Sequence, residues 1–365
     1  MLPGAVYSAL GLLAATSLVT AQEEEDLGYM PRDTSEMLSA PPELISLSEQ
    51  LEKIPPSIAL RFGEEEPVIQ VPVQIIVISA QEKSAADFPQ DDILRQQIQV
   101  LNNAFKPHFE FELNNITRKV DANWAGGGDN NNMKTTLHQG DHKTLNLYFT
   151  DQVKGSDGGD ALGTCHYPTI VRTNPKSDGC SLRTDTLPSG RNKRYNLGIT
   201  AVHEVGHFLG LAHTFDGGCK DGDKVADTPP EAKADYSCDT NLHSCGDARP
   251  DPVHNFMDYG PDSCLDNFTP LQFQRMRRMW EHLRAPAVPP RQLNAILETC
   301  LQYATDDNKC KEILKTCIKQ KFPNGNYPND KKQQLINAVL PCVKETVAQD
   351  NAILPPDKAR RSPNF

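Results

Sequence analysis

The sequence predicts a mixed α/β domain followed by a small helical module that carries cysteines. Three observations lead there. Val71-Pro-Val-Gln-Ile-Ile-Val-Ile78 is β-branched enough for a strand. Ile93, Ile98, Leu101 and Phe105 then recur at helical spacing ahead of two alternating runs, Phe109 to Leu113 and Leu145 to Phe149. After the proline-rich stretch Ala285-Pro-Ala-Val-Pro-Pro290 the composition changes, with Cys300, Cys310, Cys317 and Cys342 set in three predicted helices.

Taken in chain order, residues 1–21 read as a secretory signal peptide, with an apolar run from Leu10 to Val19 and small residues at Val19-Thr20-Ala21; a buried N-terminal helix is the competing reading. Residues 22–60, rich in Glu, Ser and Pro, read as a prosegment or solvated tail. The folded domain is expected over 61–284. Pro72 places the first strand at a sheet edge or its start. Asp91 and Asp92 suit the N-terminal end of the helix that follows, and Ala125-Gly-Gly-Gly-Asp-Asn-Asn-Asn132 reads as a loop. Residues 285–290 form a linker and 291–365 the helical module. Cys310 and Cys317 lie two helical turns apart, roughly 10 Å, so they are expected to bridge to other helices.

In all, 365 residues with 37 basic and 48 acidic side chains give a net charge of -11. No basic block reverses that field, which argues against nucleic acid as a partner, and no basic amphipathic helix favours stable membrane attachment. Ten cysteines and the sequons at Asn115 and Asn267 suit an oxidising, extracellular destination.

One segment carries chemistry: His203-Glu204-Val-Gly-His207-Phe-Leu-Gly210-Leu-Ala-His213. On a helix starting near Leu197, His203 and His207 share a face one turn apart and can grip one zinc ion. Gly210 can adopt the left-handed conformation that ends the helix and returns His213 as third ligand. The fourth position stays open for water, whose pKa zinc lowers toward about 7. Glu204, beside the metal without being needed to bind it, is the natural general base. The implied reaction is metal-assisted hydrolysis of an amide, with protein or peptide substrates.

This motif, together with Asn255-Phe-Met257-Asp-Tyr259 further on, resembles the metzincin zinc proteases. Val225-Ala-Asp-Thr-Pro229, Asp262-Ser-Cys264 and Phe268-Thr-Pro-Leu-Gln272 are similar to the pappalysin family within them. The resemblance spans about Val68 to Trp280; the partner of the C-terminal module is unknown. It implies a twisted mixed sheet with an active-site helix and a smaller lower subdomain. Met257 would lie as an apolar base under the ligands, and Tyr259 would hydrogen-bond the tetrahedral intermediate or simply pack. Asp262 would favour Arg or Lys at P1′, or merely sit in a surface turn. The same likeness implies disulfides Cys219–Cys245 and Cys238–Cys264, which leaves Cys165 and Cys180 as a further pair. It also makes Asp223, Asp227 and Thr228 candidates for a structural calcium ion, with a solvated acidic loop as the alternative. Members can carry Arg-Cys-Gly ahead of the first strand; here Arg61-Phe62-Gly63 stands in its place and no cysteine precedes Cys165, which argues against latency by a thiol cap on the zinc. The rival to a zinc endopeptidase is a secreted binding protein on an inactive protease scaffold, and intact His203, Glu204, His207 and His213 argue against it.

Overall fold

The computed structural model describes residues 40–52, 67–82, 89–246 and 249–285, with 316–317, 320, 339 and 341–346 of the C-terminal module. The expected signal peptide, the Arg61-Phe62-Gly63 segment, the linker beyond Ala285 and most of residues 291–365 lie outside them. A five-stranded sheet is ordered β2-β1-β3-β7-β6, from β1 (Ile69–Ser79), β2 (Phe109–Val120), β3 (Leu145–Thr150), β6 (Gly163–Cys165) and β7 (Cys180–Arg183). Two short strands, β4 (Val153–Lys154) and β5 (Asp160–Ala161), pair separately. β1, β2, β3 and β7 run parallel, whereas β6 runs antiparallel to β7 and forms an edge.

β1 is interior, not at the edge that Pro72 suggested. Its pairing with β3 begins only at Val73, so Pro72 sits where the strand has β2 alone as a neighbour and its missing N–H costs no ladder bond on the other side. From Ile75 to Ile78 every residue is buried, as befits a strand covered on both faces.

Helix α2 (Asp91–Phe105) lays Leu94, Gln97, Ile98, Leu101 and Phe105 into the core. Ile93, assigned to that face from the sequence, is only half-buried. The glycine- and asparagine-rich stretch is partly helical: α3 (Ala122–Ala125) precedes it, and α4 (Asn130–Leu137) starts inside it, its first turn capped by the Asp129 carboxylate accepting from the Asn132 N–H at 3.3 Å.

The expectation of a solvated tail through residue 60 fails for α1 (Pro42–Glu52). Leu44, Ser48 and Leu51 are buried, and Leu44 and Leu51 cluster with Tyr167, Ala212, Met279 and Leu283. Helix α5 (Ile199–Phe208) carries the motif, the one-turn α6 (Gly218–Asp221) follows it, and α7 (Pro270–Met279) closes the domain. The N-terminus of α7 has Pro270 in its first turn and a capping box between Thr269 and Gln272. Beyond α7, Arg284 is fully buried against Asp178 at 2.5 Å, and its Nε donates to the Phe208 carbonyl, 2.9 Å away. A cation is thus fixed at the C-terminal end of α5, where the helix dipole favours it. Disulfides join Cys165 to Cys180, Cys219 to Cys245, Cys238 to Cys264 and Cys317 to Cys342. Among the described residues no helix is long and apolar enough to cross a membrane.

Candidate metal centre

His203 and His207 project from one face of α5 because they are four residues apart. Gly210, at φ +99°, turns the chain after the helix and allows His213 to approach them. All three imidazoles are buried, and the Nε2 atom of His207 lies 3.1 Å from that of His203 and 3.1 Å from that of His213.

The close pair between His203 and His207 cannot be a hydrogen bond. The Nδ1 atom of His203 is 2.7 Å from the Phe256 carbonyl, and that of His207 is 2.8 Å from the Leu211 carbonyl. A carbonyl only accepts, so in both rings the proton sits on Nδ1 and the Nε2 lone pair faces inward. Burial, then the neighbouring His213, pushes the His207 pKa down to about 3, which keeps the ring neutral as ligation requires. Two lone pairs facing each other at 3.1 Å repel unless a cation lies between them, and Nε2 of His213 stands equally close to that of His207. Tetrahedral zinc with bonds of about 2.0–2.1 Å would hold its nitrogens roughly 3.3 Å apart, so the donor set fits zinc.

The pocket at this point is lined by Thr164, Cys165, Tyr167, His203, Glu204, His207 and His213. Its strand wall is β6. Glu204 is buried against that wall; a Cβ placed at Gly163 would fall 2.7 Å from its Cγ and 2.8 Å from its Oε1. Glycine there is what admits the carboxylate. The Met257 sulfur fills the space that a side chain at Gly206 would need, which sets the fully buried Met257 under the ligand-bearing helix. The hydroxyl of Tyr259 lies 3.1 Å from Nε2 of His213.

Residues 128–281 match the family model Peptidase_M43, pregnancy-associated plasma protein-A. Extracellular metalloprotease 1 of Coccidioides posadasii is 38% identical over 250 residues, which is 67% of this chain and 88% of that protein. The chain belongs to the Peptidase_M43 family. An extracellular metalloprotease of Pyricularia oryzae is 40% identical over 221 residues, covering 60% of this chain and 77% of that one. Among solved structures, mature mirolysin of Tannerella forsythia in complex with a cleaved peptide is 28% identical with a TM-score of 0.51, covering 58% of this chain and 92% of its own. As a member of this family the chain is a zinc metalloendopeptidase, of metzincin type.

The remaining family residues fall in several places. Asp262 is buried, and its Oδ2 accepts from the N–H groups of Leu197 at 2.8 Å and Ile199 at 3.4 Å, so it caps the start of α5. The sequence offered it as a surface-turn residue or a pocket charge; the capping contact spans more than sixty residues and has no local signal. Asp227 spends both oxygens on α7, accepting from the Thr269 hydroxyl at 2.7 Å and the Leu271 N–H at 2.9 Å. Asp223 accepts from the Val225 N–H at 2.9 Å, and burial pushes its pKa up to about 7. Asp227 is thus engaged with the start of α7, and among the described residues the His, Cys, Asp and Glu groups arranged for a metal are His203, His207 and His213, and a Cys238, His254, Cys264 set whose cysteines are bonded to each other. Asn115 and Asn267 are both exposed. Sequence reasoning missed Asp216, whose Oδ2 accepts from the His213 N–H at 3.3 Å, and Gly163, a glycine without motif or turn context.

Proposed function

We propose that the chain is a secreted endopeptidase in which Glu204 is the general base. What carries this is the juxtaposition of a buried carboxylate and three inward-facing imidazole nitrogens in one pocket. When bound there, zinc supplies Lewis acidity and makes a water molecule acidic near neutral pH. Glu204 then takes the proton at a carboxylate oxygen and returns it to the departing amine. His203 and His207, with their Nδ1 protons engaged by the Phe256 and Leu211 carbonyls, keep fixed orientation through this cycle. The Tyr259 hydroxyl donates a hydrogen bond to the oxygen that gains charge.

The substrate is an extended peptide lying along β6. That strand is an edge with β7 on one side only, and its Thr164 and Cys165 line the pocket, so an added strand would bring its carbonyls past the histidines. The cleaved peptide held by mirolysin supports the same substrate class for this chain. Asp262 lends its buried negative charge to a preference for Arg or Lys at P1′. Relatives named extracellular support export, as does the apolar stretch at residues 1–21.

The test is cleavage of casein and of short peptides by the purified protein beside Glu204→Ala, with products identified by mass. Loss of cleavage in the variant with zinc still stoichiometric is the expected outcome. Equal activity of the variant would remove Glu204 from the mechanism, and zinc binding without any cleavage by the parent would favour the binding-protein reading.

A further inference from the structure

Residues 40–52, which hold α1, lie in the stretch that composition assigns to a prosegment, yet their first residue is tied to a carboxylate that contacts the third ligand. The backbone N–H of Ala40 donates to Oδ2 of Asp216 at 3.1 Å. That same oxygen accepts from the His213 N–H at 3.3 Å, and Oδ1 stands 3.7 Å from Nδ1 of the His213 ring. Asp216 is buried, so the Ala40 N–H is one of few donors that can hold it in place. None of residues 40–52 lines the pocket at the three histidines. The segment supports the site without blocking it.

The docking is also built into the domain. Arg275, with 2% of its side chain exposed, has its Nε 3.0 Å from Oε1 of Glu52, and Arg278 donates to the Leu51 carbonyl at 3.0 Å. Leu44 and Leu51 cover Ala212, the residue before the third ligand, together with Met279 and Leu283. Stripping the segment would leave a buried guanidinium without its carboxylate partner and uncover an apolar surface next to His213.

We infer that residues 40–52 are a retained part of the working enzyme, a strap whose Ala40 N–H fixes Asp216 as the positioning residue of the third zinc ligand. This deepens the zinc-protease reading but is read out by metal retention, which does not require that any substrate be cleaved.

The experiment follows zinc release from the purified full chain into a chromogenic chelator for the parent, Asp216→Ala, Ala40→Pro and Ala40→Gly. Proline removes the one N–H, whereas glycine keeps it. Expected are release about tenfold or more faster in Asp216→Ala and Ala40→Pro, in the range seen when the outer partners of metal ligands are removed, and near-parent release in Ala40→Gly. A mere loss of packing would instead make the two Ala40 variants alike, and that result, or parent-like release from Asp216→Ala, overturns the positioning role. Should Ala40→Pro fail to fold, Asp216→Ala decides alone. The mass of the active secreted enzyme tests retention: an N-terminus at or before residue 40 supports it, and one beyond residue 52 refutes it. If the protein cleaves nothing yet the variants lose zinc as described, the strap stands and the protease reading falls.

Discussion

Replacing Gly163 by alanine isolates the placement of Glu204 from every other part of the centre. The added Cβ would lie 2.7 Å from Cγ and 2.8 Å from Oε1 of Glu204. Carbon atoms in comfortable contact are separated by about 3.5–4.0 Å, so the carboxylate must withdraw by roughly 1 Å. Misplacing a catalytic group by about that distance can cost on the order of 100-fold, equivalent to about 2.7 kcal/mol of barrier. The metal ligands are untouched, and Gly163 keeps its pairing to Leu182 through the backbone. We therefore expect kcat on a quenched fluorescent peptide to fall roughly 100-fold with KM little changed, zinc at one per chain and an unaltered melting curve. A variant with parent kcat would refute the claim that Glu204 acts from this position. A rise in KM at constant kcat would instead mean that the methyl group obstructs the peptide on β6.

Three further outcomes are expected. Asp262→Asn keeps the acceptor for the Leu197 and Ile199 N–H groups but drops the charge, so a peptide library should lose its Arg/Lys bias at P1′ with the protein still folded; an unchanged library profile would leave Asp262 as a helix cap and nothing more. Thr269→Ala removes the α7 capping box and the hydroxyl held by Asp227. It should cost about 1 kcal/mol, a drop of about 2–4 °C in Tm for a domain of this size, with activity per folded molecule retained. Asp223, raised from an ordinary carboxylate value to about 7 by burial, binds its proton more tightly folded than unfolded. Its contribution to stability is complete below about pH 4 and is lost as pH rises through about 7. Asp223→Asn should flatten that part of the urea-midpoint profile and be more stable than the parent at pH 8; a profile parallel to the parent would contradict the assignment.

The zinc motif was legible because its geometry is local: one helical turn relates His203 to His207, and a glycine three residues on returns His213. β1, β2 and β3 were legible for the same reason, from alternation and β-branching, whereas the short strands β4 to β7, among them the pocket wall, carried no such pattern. What escaped depends on partners far away in the chain. Leu44 and Leu51 stand at helical spacing, but glutamate, serine and proline around them masked the pattern, and their partners Ala212 and Leu283 lie more than 150 residues on. The start of α4 among asparagines depends on the single carboxylate of Asp129 at φ 45°. Asp262 and Asp227 have the composition of turn or cation-binding residues, and only the packed structure reveals that each caps a helix instead.

The three ligands also differ in what orients them. His207 is held by the Leu211 carbonyl, four residues away, and needs only the local turn. His203 is held by the Phe256 carbonyl, 53 residues on, so its tautomer depends on the Met257 turn being folded onto α5. His213 leans on Asp216, which in turn is tied to Ala40 across 176 residues. A cation at their meeting point therefore joins the active-site helix, the lower part of the domain and the N-terminal strap. Because the site is complete only when all three are assembled, metal affinity is to that extent folding free energy. Zinc should stabilise the contacts between these segments more than the pairing of the parallel strands, none of which carries a ligand.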